Sequence, residues 1–217
     1  AHAGGRCNTD AIDNSAGVDT SDHEVNIKIL LNAVVASGDL TVKQRNGLLA
    51  GMTDEVAALV LRNNYAQNVA LANAQTTAPG LILTHQRLIR RLTEDGRLDR
   101  ELEFLPSDEE IAERRAAGKV LTQPELSVMM AYAKLTVTAE LIGTELPDDP
   151  YVGRLLHAYF PAALRERFPE GIESHALRRE IITTLLVNDT VNVGGCSFVH
   201  RMGEESGAST EEIVRAH

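Results

Sequence analysis

Hydrophobic residues recur at helical spacing after a polar and acidic stretch near the start of the chain. The first apolar stripe consists of Ile27, Leu30, Leu31, Val34 and Val35, a spacing typical of an amphipathic helix. Just before it, Ser21 and Glu24 have the spacing of a capping box, in which both side chains bind backbone N–H groups of the first turn. The pattern predicts a loop that leads into a helix beginning near Asp22, and such a helix N-terminus favours a bound carboxylate or phosphate.

Helix start and stop signals follow one another along the rest of the chain. Capping residues or first-turn prolines predict helix starts at Thr41, Thr53, Ser107, Thr122, Pro150 and Ser209, and a last long helix is predicted from about Ser174 to Val193. Breaks are predicted at Gly38, Pro79-Gly80, Gly96, Gly118 and Pro161. Sustained strand alternation is missing. The predicted fold class is therefore mainly α, a multihelical domain preceded by a short loop or strand remnant.

One predicted helix carries a stripe of large apolar side chains. After Thr122, the residues Leu126, Met129, Met130, Ala133 and Val137 share one face. Stripes of this kind are far more often core than a cofactor site, and we interpret this one as core.

Charge and cysteine content narrow the class of partner. The 217 residues include 31 acidic and 21 basic side chains, for a net charge of -10, which argues against nucleic acid or an anionic membrane as the main partner. No apolar stretch is long enough to span a bilayer, and no signal-peptide pattern opens the chain. Cys7 and Cys196 are the two cysteines, which favours a reducing, cytoplasmic setting over a disulfide framework. A small molecule or another protein fits better as a partner.

Polar clusters leave several functional alternatives open. The stretch from Asn14 to Ser21 either contacts a ligand or is an ordinary turn, and its acidic neighbours either hold a metal or act as caps. We favour caps, predict no metal site, and interpret His23 as a surface or hydrogen-bonded histidine. Asn188 and Asn192 share a helix face. They either orient that stretch or have a structural role, in which they join helices or mark a bend at the glycine pair, and we favour the structural role. The 63–68 cluster receives the same interpretation, as the solvated face of its helix.

The glycine pairs do not form a dinucleotide-binding turn. Gly4-Gly5 and Gly194-Gly195 both lack the G-x-G-x-x-G pattern between a strand and a helix, which cradles the pyrophosphate of a dinucleotide.

The residues from 14 to 24 also carry a resemblance. The run Asn14-Ser15-Ala16-Gly17-Val18-Asp19-Thr20-Ser21, followed by Glu24, resembles the Asn-Ala-Gly-Gly-Val-x-x-Ser-x-x-Glu signature of glutamate dehydrogenases. Three segments are similar to the C-terminal part of the large bacterial NAD-dependent enzymes. They are GRCNTDAIDNSAGVDTSDHEVNIKILLN, LTQPELSVMMAYAK at 121–134 and LVNDTVN at 186–192. Two departures are Ala16 in place of the signature's first glycine, and Asp22-His23 in place of an aromatic pair.

The resemblance implies a function and site residues. It implies oxidative deamination of L-glutamate to 2-oxoglutarate and ammonium with NAD as the cofactor. By the resemblance, Asn14 lies near the nicotinamide, Val18 lines the substrate side-chain pocket and Ser21 holds the α-carboxylate. The family's catalytic lysines map onto no lysine of this chain, so no catalytic residue is assigned. Arg6 is the nearest cation that could offset the acidic residues around the carboxylate site.

The resemblance also implies a domain division. Residues 1–38 would form the active-site loop and first helix at the edge of a catalytic domain, and residues 39–217 a helical C-terminal domain. Both ends of the chain look cut, and we expect a piece of a longer, homo-oligomeric polypeptide that is inactive alone because most of the NAD site lies elsewhere. The alternative is a non-catalytic helical interaction or regulatory module.

Overall fold

Every regular element in the described part of the chain is a helix. The computed structural model describes residues 1, 3–5 and 7–217. The helices are α1 (Asp10–Asp13), α2 (Ser15–Ala36), α3 (Val42–Gly51), α4 (Thr53–Glu94), α5 (Asp108–Ala116), α6 (Gln123–Leu141), α7 (Pro150–Gly153), α8 (Leu155–Tyr159), α9 (Ala162–Arg167), α10 (Pro169–Glu173), α11 (Arg178–Gly194), α12 (Phe198–Ser206) and α13 (Thr210–Ala216), with a 3-10 turn at Leu146–Asp148. The prediction of a mainly α, multihelical fold is confirmed.

The helices form two compact units that are discontinuous in sequence. The first unit comprises residues 1–13, 66–144 and 186–217, and the second comprises residues 14–65 and 145–185. The predicted division after residue 38 concerns a boundary within a longer polypeptide, and it stays a prediction. Within the described residues, no helix combines the length and the apolar character that crossing a bilayer requires.

The core of the first unit contains the stripe predicted on α6. Leu126, Met129, Met130, Ala133 and Val137 are all buried, as are Ile89 and Leu92 of α4 and Ile111 of α5. Helix α13 contacts both α6 and α12. Burial of these side chains provides most of the favourable free energy of this unit, since each fully buried aliphatic side chain contributes roughly 1.5–3 kcal/mol.

The second unit is built on the apolar face of α2. Ile27, Leu30, Leu31 and Val34 are buried on that face, and α2 contacts α3 and α10. The approach of α10 is close, because a Cβ atom added to Gly171 would lie 2.9 Å from Cδ1 of Leu30. Only glycine fits at position 171 without displacing Leu30.

Local capping signals fixed several helix starts as predicted. Thr41, Ser107 and Ser209 each form a complete capping box with the residue three positions later. The backbone N–H of Thr122 donates to Glu125 at 2.6 Å. Such signals can be identified in sequence because all their partners lie within one turn.

The predicted break at Pro79-Gly80 is wrong, since α4 continues through both residues. Proline inside a helix removes one backbone hydrogen bond and costs about 3 kcal/mol. Leu71, Ala78 and Ile82 are buried on either side of Pro79, and the burial of this continuous face offsets that cost. Tertiary packing therefore determines the length of α4.

We expect Gly195→Ala to destabilise the first unit. Gly195 links α11 to α12 with a φ of +92°, a left-handed conformation that costs an L-residue about 1–2 kcal/mol. Denaturant unfolding should show a loss of that size. Gly143→Ala is the matched control, because Gly143 is exposed, has no positive φ and has no atom near its added Cβ. An unchanged free energy of unfolding for Gly195→Ala would contradict the prediction.

Candidate functional site

The three residues predicted to bind ligands lie along one exposed face of α2. Asn14 is the N-cap of this helix, and Val18 and Ser21 follow four and seven residues later, so the three side chains project from the same side. Val18 is 66% exposed, and Val25, one turn beyond Ser21, is 52% exposed. Two exposed valines flank the Ser21 hydroxyl on this surface, which we call the α2 outer face (Asn14, Val18, Ser21 and Val25).

The predicted loop and the Ser21 capping box are wrong. Helix α2 begins at Ser15, so Ser21 lies in its second turn and cannot cap it. The Ser21 hydroxyl instead donates to the Gly17 carbonyl at 3.3 Å, and Glu24 pairs with Lys28 one turn later. The first turn of the helix, where N–H groups lack helical partners, is therefore next to Asn14 and not at Asp22.

Two asparagines of α4 form hydrogen bonds with the first two turns of α2, within the second unit. Asn64 donates its amide N–H to the Ser15 hydroxyl oxygen at 2.8 Å, and Asn63 donates to Asp19 Oδ2 at 2.8 Å. Both asparagines are half-buried, so they do not form a solvated helix face, and their contacts with α2 fit the structural role that was favoured for the cluster. Their hydrogen bonds fix the first two turns of α2 and the direction of its outer face.

His23 is buried, contrary to the prediction of a surface or hydrogen-bonded histidine. It is 1% exposed, its ring stacks on Tyr159 with centroids 4.2 Å apart, and neither ring nitrogen has a hydrogen-bond partner. Burial lowers the pKa of His23, against the opposing effect of the Asp19 carboxylate, whose Oδ1 lies 3.8 Å from Nε2. At neutral pH the imidazole is therefore uncharged, and it acts as a packed aromatic ring.

A chain of polar contacts continues from this ring beneath α2. The Asn26 amide donates to the Tyr159 hydroxyl at 2.8 Å, and burial raises the pKa of Tyr159 to about 12. His175 Nδ1 accepts the Leu177 backbone N–H at 3.0 Å, so Nε2 carries the proton and donates to the Asn26 carbonyl at 3.0 Å. These contacts make the inner side of α2 a rigid support for its outer face.

The acidic residues beside Ser21 differ in their surroundings. Asp19 is half-buried and bound by Asn63, on the side of the helix that faces α4. Burial raises the pKa of Asp22, and the neighbouring Asp19 charge raises it further. Arg6, the cation considered near this site, lies outside the described residues. An anion bound at Ser21 would therefore lie near the Asp22 carboxyl group. The Asp19 carboxylate would affect it less, because Asp19 is half-buried and bound by Asn63.

The described residues do not form a cradle for a dinucleotide. Gly194 is the last residue of α11, and Gly195 lies between α11 and α12. The pyrophosphate turn of a dinucleotide fold requires glycines between a strand and a helix. Gly194 and Gly195 therefore do not form such a turn.

Sequence reasoning missed the supporting residues, although one of them left a signal. His23 precedes Ile27, Leu30 and Leu31 at helical spacing, so extending the apolar stripe by one turn would have predicted its burial. Tyr159, Asn63 and Asn64 left no such signal, because they are distant from α2 in sequence.

Comparisons with known proteins bear on both ends of the chain. A family model described as bacterial NAD-glutamate dehydrogenase, catalytic domain, matches residues 1–74, and one described as glutamate dehydrogenase, C-terminal, matches residues 118–217. NAD-specific glutamate dehydrogenase of Pseudomonas aeruginosa is 52% identical over 214 residues, and that of Mycobacterium tuberculosis is 48% identical over 215. Both alignments include 99% of this chain, which spans 13% of the length of each relative.

Proposed function

Since the chain belongs to the family of the large bacterial NAD-specific glutamate dehydrogenases, we propose that it forms one edge of the active site of such an enzyme. The reaction is the oxidative deamination of L-glutamate to 2-oxoglutarate and ammonium, with NAD as the cofactor. This chain spans 13% of its relatives, so the proposal concerns the longer polypeptide. Residues 1–38 would be the edge of its catalytic domain, and residues 39–217 its helical C-terminal domain.

The observation that carries the proposal is the α2 outer face. Asn14, Val18 and Ser21 occupy positions that match the family signature, and they share a single exposed side of one rigid helix. A site completed by another part of a polypeptide needs side chains that remain accessible on a fixed support. The hydrogen bonds from Asn63 and Asn64 supply that fixed support.

Each residue has a role that its chemistry permits. Ser21 donates its hydroxyl proton to the substrate α-carboxylate, in exchange for its long, 3.3 Å bond to the Gly17 carbonyl. Val18 contacts the methylene groups of the substrate, and Asn14 lies near the nicotinamide. No residue of this chain is proposed to act as an acid, a base or a metal ligand. The remaining NAD contacts belong to other parts of the polypeptide, which we also propose to be homo-oligomeric.

A cytoplasmic location is part of the same proposal. Its support is the chemistry of the two cysteines, which are both free thiols, as is usual in a reducing compartment.

Enlarging Val18 tests the substrate-side role. We expect Val18→Phe in the complete enzyme to lower kcat/KM for glutamate relative to smaller amino acids by roughly 10-fold or more, since a changed apolar pocket contact alters discrimination by about 1–3 kcal/mol. The measurement is steady-state kinetics with glutamate, aspartate and alanine as substrates. Val42→Phe is the matched control, because Val42 on α3 is similarly exposed but lies outside the α2 outer face, and its relative rates should change less than two-fold.

Val18→Phe and Val25→Phe together distinguish the alternative function. If the α2 outer face docks another helix in a non-catalytic module, both valines are part of one apolar contact, and both substitutions should weaken that association equally. Unchanged relative rates in Val18→Phe, with altered assembly in both variants, would favour the interaction module over the substrate site.

A further inference from the structure

A small cavity in the first unit is lined by polar atoms that have no partners. Its volume is about 120 Å³, and it lies among α4, the turn after α11 and the first turn of α12. Three of the residues that line it each have a buried polar atom without a hydrogen bond: Nδ1 of His85, Oδ1 of Asn192 and Nε of Arg201. Buried polar atoms are nearly always paired, so three of them around one cavity indicate that something polar occupies it.

Asn192 is one of these residues, and its predicted role, to join helices or to mark a bend at the glycine pair, stays a prediction. Its Oδ1 atom has no hydrogen-bond partner among the described residues. His85 on α4 is 2% exposed, and burial lowers its pKa to about 4. At neutral pH the His85 ring is therefore uncharged, and it presents either a donor or an acceptor to the cavity, depending on its tautomer.

The N-terminus of α12 adds backbone donors to the same wall. Ser197, the N-cap, is buried, and its hydroxyl makes no capping hydrogen bond, so N–H groups of the first turn have no side-chain cap. Gly195 precedes it with a φ of +92°, which lets the chain turn tightly into this helix. The carboxyl end of α11 also lines the cavity. Its partial negative charge offsets the partial positive charge of the α12 N-terminus.

The net charge around the cavity therefore depends on Arg201. Arg201 lies one turn into α12, it is half-buried, and its buried Nε atom has no hydrogen-bond partner. The nearby carboxylate of Glu204 is already bound by Arg87 through hydrogen bonds of 3.0–3.2 Å. Water could fill a cavity of this size, at about 30 Å³ per molecule, but a neutral molecule would not neutralise the charge beside the buried Nε atom of Arg201.

We propose that this cavity binds a small oxyanion, a carboxylate or a phosphate, through Arg201, His85, Asn192 and Ser197. Arg201 donates its Nε–H to one oxygen of the anion, a charge-assisted hydrogen bond that is stronger than a neutral one. His85 donates from Nδ1, and Ser197 donates its free hydroxyl proton. Asn192 presents its NH₂ group to the anion after a half-turn of the amide. The site is separate from the α2 outer face, and it does not depend on the function proposed for that face.

The test is a titration of the 217-residue chain with sodium acetate and with sodium phosphate at constant ionic strength. Isothermal titration calorimetry gives the dissociation constants, and the Nε–H resonance of ¹⁵N-labelled Arg201 reports binding at the site itself. Acetate represents a planar carboxylate, and phosphate represents a tetrahedral anion. The anion that binds more tightly identifies which of these two classes the cavity prefers. Saturable binding with a shift of the Arg201 resonance is the expected result.

Variants separate this site from general anion binding. We expect Arg201→Gln to weaken binding at least 10-fold, while Arg97→Gln, which removes the same charge from an exposed arginine, should change it less than two-fold. Asn192→Leu keeps the charge but fills part of the cavity, and it should weaken binding as well. Equal effects of Arg201→Gln and Arg97→Gln, or no saturable shift of the Arg201 resonance with either anion, would overturn the proposal and leave a cavity that holds water.

Discussion

Glu125→Ala is expected to lower the free energy of unfolding by about 3–5 kcal/mol, the usual effect of removing one partner of a buried ion pair. Glu125 is 7% exposed, and its two carboxylate oxygens accept from Arg114 Nη1 at 2.9 and 2.8 Å. The same carboxylate accepts the Thr122 N–H at the start of α6. The substitution therefore leaves the partly buried Arg114 guanidinium without its partner, and it also removes the cap at the start of α6.

Two further variants separate these contributions in denaturant unfolding experiments. Glu109→Ala removes an exposed carboxylate from α5, and it should change stability by no more than about 0.5 kcal/mol. Arg114→Met combined with Glu125→Leu replaces the pair by apolar side chains, and it should recover much of the loss, because no buried charge remains unpaired. A loss below about 1 kcal/mol in Glu125→Ala would mean that the ion pair contributes little to the first unit.

Ser21→Ala in the complete enzyme is expected to raise KM for glutamate roughly 10- to 100-fold, because a hydrogen bond to a charged group contributes about 1.5–3 kcal/mol. KM for NAD should remain nearly constant, since the lost bond involves the substrate carboxylate only. Stability should also remain nearly constant. Ser21 lies inside α2 and not at its N-cap, and alanine is a better helix former than serine.

Thr20→Ala provides the control for this prediction. The Thr20 hydroxyl donates to the Ala16 carbonyl at 2.7 Å, so the variant removes a comparable hydroxyl from the adjacent position, which points about 100° away around the helix. Its KM for glutamate should change less than two-fold. If Ser21→Ala retained normal glutamate affinity, or if both variants raised KM equally, Ser21 would have no specific contact with the carboxylate.

Features determined within one turn of the chain were predictable from sequence. Helices begin where capping residues predict them at Thr41, Ser107 and Ser209, and each of these residues forms a capping box. In each case the pattern and the physical cause involve the same few residues, so the sequence alone contains the whole interaction.

Features determined by distant residues were not predictable in this way. The stretch from Asn14 to Ser21 has turn composition, yet it is helical, held by hydrogen bonds from Asn63 and Asn64 of α4. The contact of His23 with Tyr159 joins segments that have no periodic relation in the sequence. For the candidate site, the resemblance supplied Asn14, Val18 and Ser21, whose ligand contacts stay predictions, while the residues that support them became visible only in the fold.

The close approach of α10 to α2 has an evolutionary consequence. Because a Cβ atom at position 171 would lie 2.9 Å from Cδ1 of Leu30, a methyl group there requires either that Leu30 shifts or that position 30 has a shorter side chain. A shorter side chain at position 30 alone, in turn, leaves a void under α2. The two positions are thus expected to covary among homologues, with single changes at either one selected against and paired changes tolerated.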